Sequence, residues 1–141
     1  PSGDYVLKEL AVILNQNVRE SDVVARTGGE EFSVILPRAS RQEAEIFAQR
    51  IRLQVSKRQF IVYGDRIHIT ISIGSATFPE DAEITDPGIL EYLADQALLT
   101  AKESGRDRVV AVNSLGMAVR SRLRRQYFAM NNEQLTMATT Q

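Results

Sequence analysis

Residues 26–32 read Arg-Thr-Gly-Gly-Glu-Glu-Phe, and two runs rich in β-branched or apolar residues flank them, at 23–27 and 32–36. A Gly-Gly pair between two such runs predicts a tight β-hairpin. Glycine permits a positive φ and lets another group approach the backbone closely. In a strand, Glu30 and Glu31 would point to opposite faces, so we expect different roles for them.

A bare backbone beside a carboxylate suits a nucleotide phosphate and its magnesium ion, because Mg²⁺ binds through one or two carboxylates together with phosphate oxygens. A plain surface hairpin explains residues 26–32 equally well, since Gly-Gly turns and surface glutamates are both common. The rest of the chain decides between these interpretations.

The composition is that of an ordinary globular protein. The 141 residues suffice for one domain with a sizeable core, and 43% are hydrophobic and 25% charged. A formal net charge of −1 argues against a nucleic-acid polymer as partner. The lack of cysteine excludes disulfides and thiolate metal sites, and the single histidine, His68, argues against histidine-based zinc or serine–histidine chemistry. No apolar run reaches membrane-spanning length and no signal peptide is visible.

The order of the predicted elements is helix, hairpin, helix, hairpin or strand, helix, strand. Apolar spacing predicts helices over residues 4–18, 40–55 and 86–104. Ser40 and Glu43 form a capping-box pattern, and Asp86-Pro87 and Ser104-Gly105 bound the last of these helices. A hairpin is predicted at Gly64-Asp65, followed by one alternating strand through residues 67–74 and a last strand at 108–112.

This order predicts an α+β fold, with helices covering a mostly antiparallel sheet. It is a ferredoxin-like βαββαβ core without its opening strand. We assign this domain to residues 1–113 and a basic extension, partly helical or disordered, to residues 114–141. The extension carries four arginines in a predicted amphipathic helix over 115–130, and we expect residues 131–141 to be frayed. A membrane-surface role, a solvated extension and a packing extension all remain open for it.

The central stretch resembles the signature of the GGDEF family, the diguanylate cyclases, in its GGEEF form. Residues 19–22, Arg-Glu-Ser-Asp, are similar to the family's RxxD motif at the expected spacing. Residues 71–74 resemble a family strand, and residues 95–107 resemble a family helix end, with Leu99 in place of the usual tyrosine. The resemblance covers about residues 2–113.

The resemblance implies a nucleotidyl-cyclase-like domain that condenses two GTP molecules into cyclic di-GMP and releases two pyrophosphates. Two GGDEF domains would face each other in a homodimer, and the 3′-hydroxyl of each GTP would attack the α-phosphate of the other. The implied partners are GTP, cyclic di-GMP and an upstream sensory domain. The implied location is cytoplasmic, either alone or as the cytoplasmic part of a membrane-bound sensor.

The resemblance also implies roles in catalysis. Glu30 would bind Mg²⁺, with two Mg²⁺ or Mn²⁺ ions per active site, and Glu31 would be an auxiliary catalytic carboxylate. Gly28 and Gly29 would let the triphosphate lie against backbone amides.

Further residues would bind the substrate. Asp4 would accept hydrogen bonds from guanine, and Leu7 would pack against the base; as an alternative, Asp4 is a helix-capping residue. Lys102 and Arg106 lie four residues apart at a helix end, from which both would reach the terminal phosphates. Alternatively, they are two cations that stabilise the helix dipole.

The family's product-inhibition site has a counterpart here. Arg19 and Asp22 match RxxD, and Arg50 falls where a secondary arginine of that site lies, so the three would bind cyclic di-GMP. The alternative is that Arg19 and Asp22 form a surface ion pair, which would contribute at most about 1 kcal/mol to stability.

One part of the family domain has no counterpart in this sequence. The family's first strand carries a metal-binding aspartate, and the segment after it supplies a lysine, a phenylalanine and a guanine-binding asparagine. Because that strand lies centrally, we expect a gap in the sheet and backbone groups that need another partner. The chain, which begins at Pro1, would then be a truncated cyclase, take a strand from another chain, or represent part of a larger molecule.

We therefore expect the chain alone to make no product. Three interpretations of function remain open. One is the C-terminal two-thirds of a diguanylate cyclase domain, and another is a non-catalytic module that binds GTP or cyclic di-GMP as a receptor. The third is a plain α+β interaction domain.

Overall fold

The computed structural model describes residues 2–82 and 87–140. Its elements, in chain order, are α1 Ser2–Asn17, β1 Val23–Arg26, β2 Phe32–Ile35, α2 Arg41–Lys57, β3 Phe60–Val62, β4 Asp65–Ile67, β5 Ile73–Ser75, α3 Pro87–Glu103, β6 Val109–Ala111 and α4 Met117–Thr140, with a 3-10 turn at Val112–Ser114. The chain divides into two compact units. Unit 1 runs to Ser72 and includes Arg106–Arg108, and unit 2 contains Ile73–Gly105 and the residues from Val109 onward.

Unit 1 is built on the packing of α1 against α2. The predicted capping box starts α2, since the Ser40 hydroxyl accepts from the Glu43 amide and the Glu43 carboxylate accepts from the Ser40 amide, both at 3.1 Å. Its apolar stripe is buried, as the periodicity predicts. The core residues of this unit are Ile13, Leu14, Ala48, Ile51, Val55 and Phe60.

Two antiparallel hairpins belong to unit 1. In the first, β1 pairs with β2, from Val23 opposite Ile35 to Arg26 opposite Phe32. In the second, β3 pairs with β4, and the connecting residues Tyr63 and Gly64 have φ values of 51° and 83°. Positive φ at both central residues is typical of a type I′ turn, so this hairpin turns one residue earlier than predicted.

The single strand predicted over residues 67–74 is wrong. β4 ends at Ile67, β5 begins at Ile73, and residues 68–72 lie in no strand. A strand needs a neighbour for its backbone groups, and β3 is only three residues long. The alternation of apolar residues therefore extends through residues 68–72, although these residues are not paired with a neighbouring strand.

Unit 2 consists of α3 packed on the parallel pair β5–β6, with α4 packed on α3. A Cβ on Gly74 would lie 2.2 Å from the Leu98 nitrogen and 2.3 Å from the Ala94 oxygen, so the α3 backbone rests directly on β5. The core of this unit is Ala82, Ile89, Leu93, Ala97, Val112 and Leu123.

Leu123 of α4 is thus a core residue, which favours the packing role for the extension. α4 continues to Thr140, past residue 131 where the sequence predicts a frayed tail, because no glycine or proline interrupts residues 117–140. The predicted helix start at Asp86 lies outside the described residues. In the described part of the chain, no helix is long and apolar enough to cross a membrane.

The described strands form three separate two-stranded sheets, in the orders β1–β2, β3–β4 and β5–β6. Two pairs are antiparallel and one is parallel, and the helices and strands confirm the α+β class. Each described strand therefore has a hydrogen-bonded neighbour on one side only. This discontinuity agrees with the expected gap in the sheet.

Candidate functional site

Residues 27–31, which we call the glycine loop, connect β1 to β2. The Thr27 amide donates to the Glu31 carbonyl at 3.0 Å, so the loop is wider than the tight turn predicted. Neither Gly28 nor Gly29 has a left-handed φ. A Cβ on Gly28 would lie 3.9 Å from the Glu31 Cβ, and one on Gly29 would meet nothing within 4 Å. The fold of the described residues therefore requires glycine at neither position.

Both glutamates of the glycine loop precede the strand. Because β2 begins at Phe32, the prediction that Glu30 and Glu31 alternate across the sheet is wrong. Both are exposed, and the Glu31 carbonyl closes the loop through Thr27. The two carboxylates thus project from a loop, where no pleat sets their direction.

Arg26 shapes the glycine loop. Its Nε and Nη2 donate to the Gly29 carbonyl at 3.1 and 2.5 Å, which folds the loop back on the end of β1. The hydroxyls of Ser33 and Thr27 also lie 3.5 Å apart across the loop. The sequence pattern predicts no role for Arg26. The position of an arginine directly before the turn was the signal in the sequence that could have indicated this contact.

Arg19 and Asp22 are in contact in the turn after α1. The Arg19 amide donates to Asp22 Oδ2 at 2.7 Å, the Asp22 amide donates to the Arg19 carbonyl at 3.0 Å, and the Arg19 guanidinium lies 3.6 Å from Oδ2. The guanidinium also donates to the Pro37 carbonyl at 3.3 Å. The Asp22 side chain is 3% exposed and that of Arg19 is 56% exposed, so Asp22 builds the turn while Arg19 faces solvent.

Arg50 lies on α2 and binds the end of α1. Its Nε donates to Asn17 Oδ1 at 3.1 Å, and its Nη2 lies 3.5 Å from the Asn17 carbonyl. The guanidinium also stacks over the Phe47 ring, 5.6 Å from its centroid. Its bonds within the described residues therefore go to the last residue of α1 and not to Arg19 or Asp22.

The two predicted base-binding residues lie one turn apart at the start of α1. Asp4 is exposed in the first turn, where a carboxylate interacts favourably with the helix dipole. Leu7 is half-buried. Asp4 is the third residue of α1, so it is not the N-cap of this helix, and its exposed position is compatible with base binding.

The helical pairing predicted for Lys102 and Arg106 is wrong. Lys102 lies in the last turn of α3, in unit 2, but α3 ends at Glu103. Gly105 has a φ of 119° and ends the helix, as predicted, and Arg106 follows with a φ of 63°. Arg106 is therefore presented by a turn of unit 1 and is not on the helix.

The acidic side chains present a limited metal site. Among the residues described, no three histidine, aspartate or glutamate side chains cluster as a metal site. Glu30 supplies one exposed oxygen donor beside open space, which fits Mg²⁺ bound by one or two carboxylates, phosphate oxygens and water. Hydrogen bonds from the Ser40 backbone and side chain lower the pKa of Glu43. This shift belongs to the cap of α2 and does not indicate a metal site.

Sequence comparisons agree with these features. A family profile described as "Diguanylate cyclase, GGDEF domain" matches residues 1–108. Diguanylate cyclase A of Treponema denticola is 42% identical over 108 residues, which cover 77% of this chain and 29% of that protein. The response regulator PleD of Caulobacter vibrioides is 45% identical over 111 residues, which cover 77% of this chain and 24% of that protein.

Solved structures show the same fold. The GGDEF domain of DgcB from Caulobacter crescentus, in complex with c-di-GMP, superposes with a TM-score of 0.71 at 30% identity, covering 79% of this chain and 66% of that one. The GGDEF domain of PA1120 from Pseudomonas aeruginosa gives a TM-score of 0.70 at 34% identity, covering 77% of this chain and 66% of that one.

The chain belongs to the GGDEF family of diguanylate cyclases. It spans less than a third of the length of the curated relatives it matches, 29% and 24% for the two above.

Proposed function

We propose that this chain is the C-terminal part of a catalytic GGDEF domain that, in its complete protein, condenses two GTP molecules into cyclic di-GMP and releases pyrophosphate. The observation that carries the proposal is the glycine loop. Its two glycines are required neither by φ nor by packing, and the exposed carboxylate of Glu30 lies beside the open space they leave. Such a loop suits a triphosphate with its metal ion.

Each residue at the glycine loop has a proposed task. The backbone at Gly28 and Gly29 lies against the phosphates, Glu30 holds the metal, and Glu31 is the auxiliary catalytic carboxylate. Mg²⁺ or Mn²⁺, two per site, neutralises charge on the transferring phosphoryl group when bound. Because Glu30 supplies one carboxylate, a second is expected from outside this chain.

The base and the terminal phosphates have separate contacts. Asp4 accepts from the guanine N1–H and N2 amino group, a donor pair that adenine lacks, and Leu7 packs against the base. Lys102 and Arg106 bind the terminal phosphates. The reaction joins two nucleotides, so the working unit is a homodimer with facing domains. The expected setting is a cytoplasmic domain downstream of a sensory domain.

We also propose that Arg19, Asp22 and Arg50 form an inhibitory site for cyclic di-GMP. The exposed guanidinium of Arg19 is available for phosphate or for the Hoogsteen edge of guanine. The solved domain of DgcB, which resembles this chain, is in complex with c-di-GMP. If Arg50 takes part, its bonds to Asn17 must be exchanged for bonds to the ligand.

The test is incubation of the full-length protein that contains this chain with GTP and Mg²⁺, followed by chromatographic separation of the nucleotides. We expect cyclic di-GMP from the wild type, a loss of about 100-fold or more in Glu30→Gln, and no change in Glu91→Gln, a matched control on the exposed face of α3. We expect no product from the 141-residue chain. Product from this chain would contradict the need for a second carboxylate.

The receptor interpretation makes a different prediction. If the full-length protein makes no product but binds cyclic di-GMP, and Arg19→Ala abolishes that binding, the receptor role replaces the cyclase role. An enzyme that makes cyclic di-GMP and is inhibited by it supports both the catalytic and the inhibitory assignment.

A further inference from the structure

The turn that follows α3 has an unusual backbone. Gly105, Arg106 and Asp107 have φ values of 119°, 63° and 44°, so three successive residues lie in the left-handed region. Glycine adopts this region freely, but in arginine and aspartate the Cβ crowds the neighbouring carbonyl there. Two such residues in succession persist only where surrounding contacts hold them.

Two arginine side chains supply these contacts. Arg52 of α2 pairs with Asp107, Nη1 to Oδ1, at 2.9 Å, and its Nε donates to Gln49 Oε1 at 2.9 Å, which fixes the guanidinium. Arg108 donates from Nε to the Arg106 carbonyl at 2.9 Å. The Arg52 side chain is 21% exposed and that of Asp107 is 44% exposed, so the guanidinium is the more shielded partner of this pair.

The side chain of Arg106 stands in contrast to its fixed backbone. Arg106 is exposed, and within the described part of the chain its guanidinium has no hydrogen-bond or ion-pair partner. The residue is thus anchored at its carbonyl and at its neighbour Asp107, while its five donors remain open to solvent. A guanidinium presented on a fixed backbone loses less freedom on binding a phosphate.

We propose that Arg52 is a positioning residue that acts through Asp107 to hold the turn presenting Arg106 to the terminal phosphates of the nucleotide. The proposal rests on the proposed function, which gives Arg106 that task. Sequence spacing does not reveal this partnership, because Arg52 and Asp107 are 55 residues apart. The competing explanation is a surface ion pair without functional effect.

The test is a double-mutant cycle in the full-length protein that contains this chain. Arg52→Gln should raise the KM for GTP about fivefold and leave kcat nearly unchanged, because the lost contact acts on ground-state and transition-state binding alike. Arg106→Ala should raise KM at least as much. The double variant should be no worse than Arg106→Ala alone, because Arg52 acts through Arg106.

Arg58→Gln is the matched control. It removes the ion pair between Arg58 and Glu9, whose side chains are 39% and 24% exposed, in the same unit as Arg52. We expect this variant to leave KM unchanged. Asp107→Asn is the second test of the anchor, should Arg52→Gln fail to fold, and it should raise KM in the same direction.

The outcomes separate this inference from the proposed function. If Arg106→Ala raises KM and Arg52→Gln and Asp107→Asn do not, or if the effects of Arg52→Gln and Arg106→Ala add, the positioning role is wrong and the cyclase role stands. If Arg106→Ala has no effect while product forms, the phosphate role of Arg106 is wrong and the inference falls with it. If no product forms, the cyclase proposal fails, and the dissociation constant for Mg·GTP is measured for the same two single variants and the double variant. If the effects of Arg52→Gln and Arg106→Ala on this constant add, the positioning role is wrong.

Discussion

Gly74 and Gly29 differ in what surrounds them. At Gly74 a Cβ would lie 2.2 Å from the backbone of α3, and helix backbone cannot move aside without losing its packing. At Gly29 a Cβ would meet no atom of the chain within 4 Å. The first glycine is therefore explained by this chain's packing, whereas for the second we propose that a ligand is the reason.

Alanine at each position should separate these explanations. We expect Gly74→Ala to lower the free energy of unfolding by about 3 kcal/mol, since the overlap is with backbone. We expect Gly29→Ala to change it by less than about 0.5 kcal/mol while weakening Mg·GTP binding. Urea denaturation and titration calorimetry on the full-length protein measure the two effects. Unchanged GTP affinity in Gly29→Ala would show that the open space does not receive the nucleotide.

Sequence reasoning at this scale succeeds where partners are close along the chain. The Arg19–Asp22 turn and the Ser40–Glu43 cap each join residues three positions apart, and spacing alone indicates both. The pair between Arg52 and Asp107 joins residues that only the fold brings together. The backbone of Arg106 could not be predicted either, because the Ser104-Gly105 stop indicates where α3 ends but does not indicate the left-handed φ of the residue after it.

At the scale of elements, the start of α2 depends on its cap. The capping box satisfies two backbone amides that would otherwise lack partners, and its hydrogen bonds to Ser40, with a further attraction from Arg19, hold the pKa of Glu43 below its ordinary value. Because the native carboxylate ionises at a lower pH than in the unfolded chain, it stabilises the fold above the unfolded pKa. That contribution disappears as the pH falls through the lowered pKa of the native state.

Two substitutions test the cap. Ser40→Ala should cost about 1 kcal/mol of unfolding free energy. Glu43→Gln should be less stable than the wild type near neutral pH, and the difference should shrink in acid, below the folded pKa of Glu43. Urea titrations at both pH values measure this. A difference that is constant with pH would mean that the ionised carboxylate of Glu43 does not support the helix.

The helix α4 lies beyond the matched family range yet contributes to the core of unit 2. Leu123 is 5% exposed, and Tyr127 packs on Tyr92 with ring centroids 5.4 Å apart. Arg124 also donates to the carbonyl of the buried Asp81 at 3.0 Å. These contacts make α4 part of the folded unit.

A buried leucine and an exposed methionine of the same helix provide the test. Leu123→Ala should lower the free energy of unfolding by about 2–4 kcal/mol through lost burial and a cavity. Met117, which is 75% exposed, is the control, and Met117→Ala should change stability by less than about 0.5 kcal/mol. Equal effects in thermal denaturation would mean that α4 does not pack on this core.

At the scale of the whole molecule, the order of elements was sufficient to predict the α+β class, but it was not sufficient to predict the extent of the strands. Residues 67–74 alternate like one strand, yet only their ends are paired, and the middle has no strand neighbour among the described residues. The alternation of apolar and polar residues indicates which side chains face a core. Pairing depends on a neighbouring backbone, and a neighbour outside the chain leaves no trace in this sequence.

The last prediction concerns that neighbour. If a preceding segment supplies the central strand of the family fold, a longer form of the chain that includes it should pair backbone groups that are unpaired in residues 68–72. Amide hydrogen exchange there should slow by about tenfold or more relative to the 141-residue chain, while exchange in the β3–β4 hairpin, already paired, should change little. Mass spectrometry of peptic fragments measures both regions in one experiment. If exchange at residues 68–72 is equally fast in both forms, the gap in the sheet has another origin, and the added segment would have to supply its carboxylate to the metal site without completing the sheet.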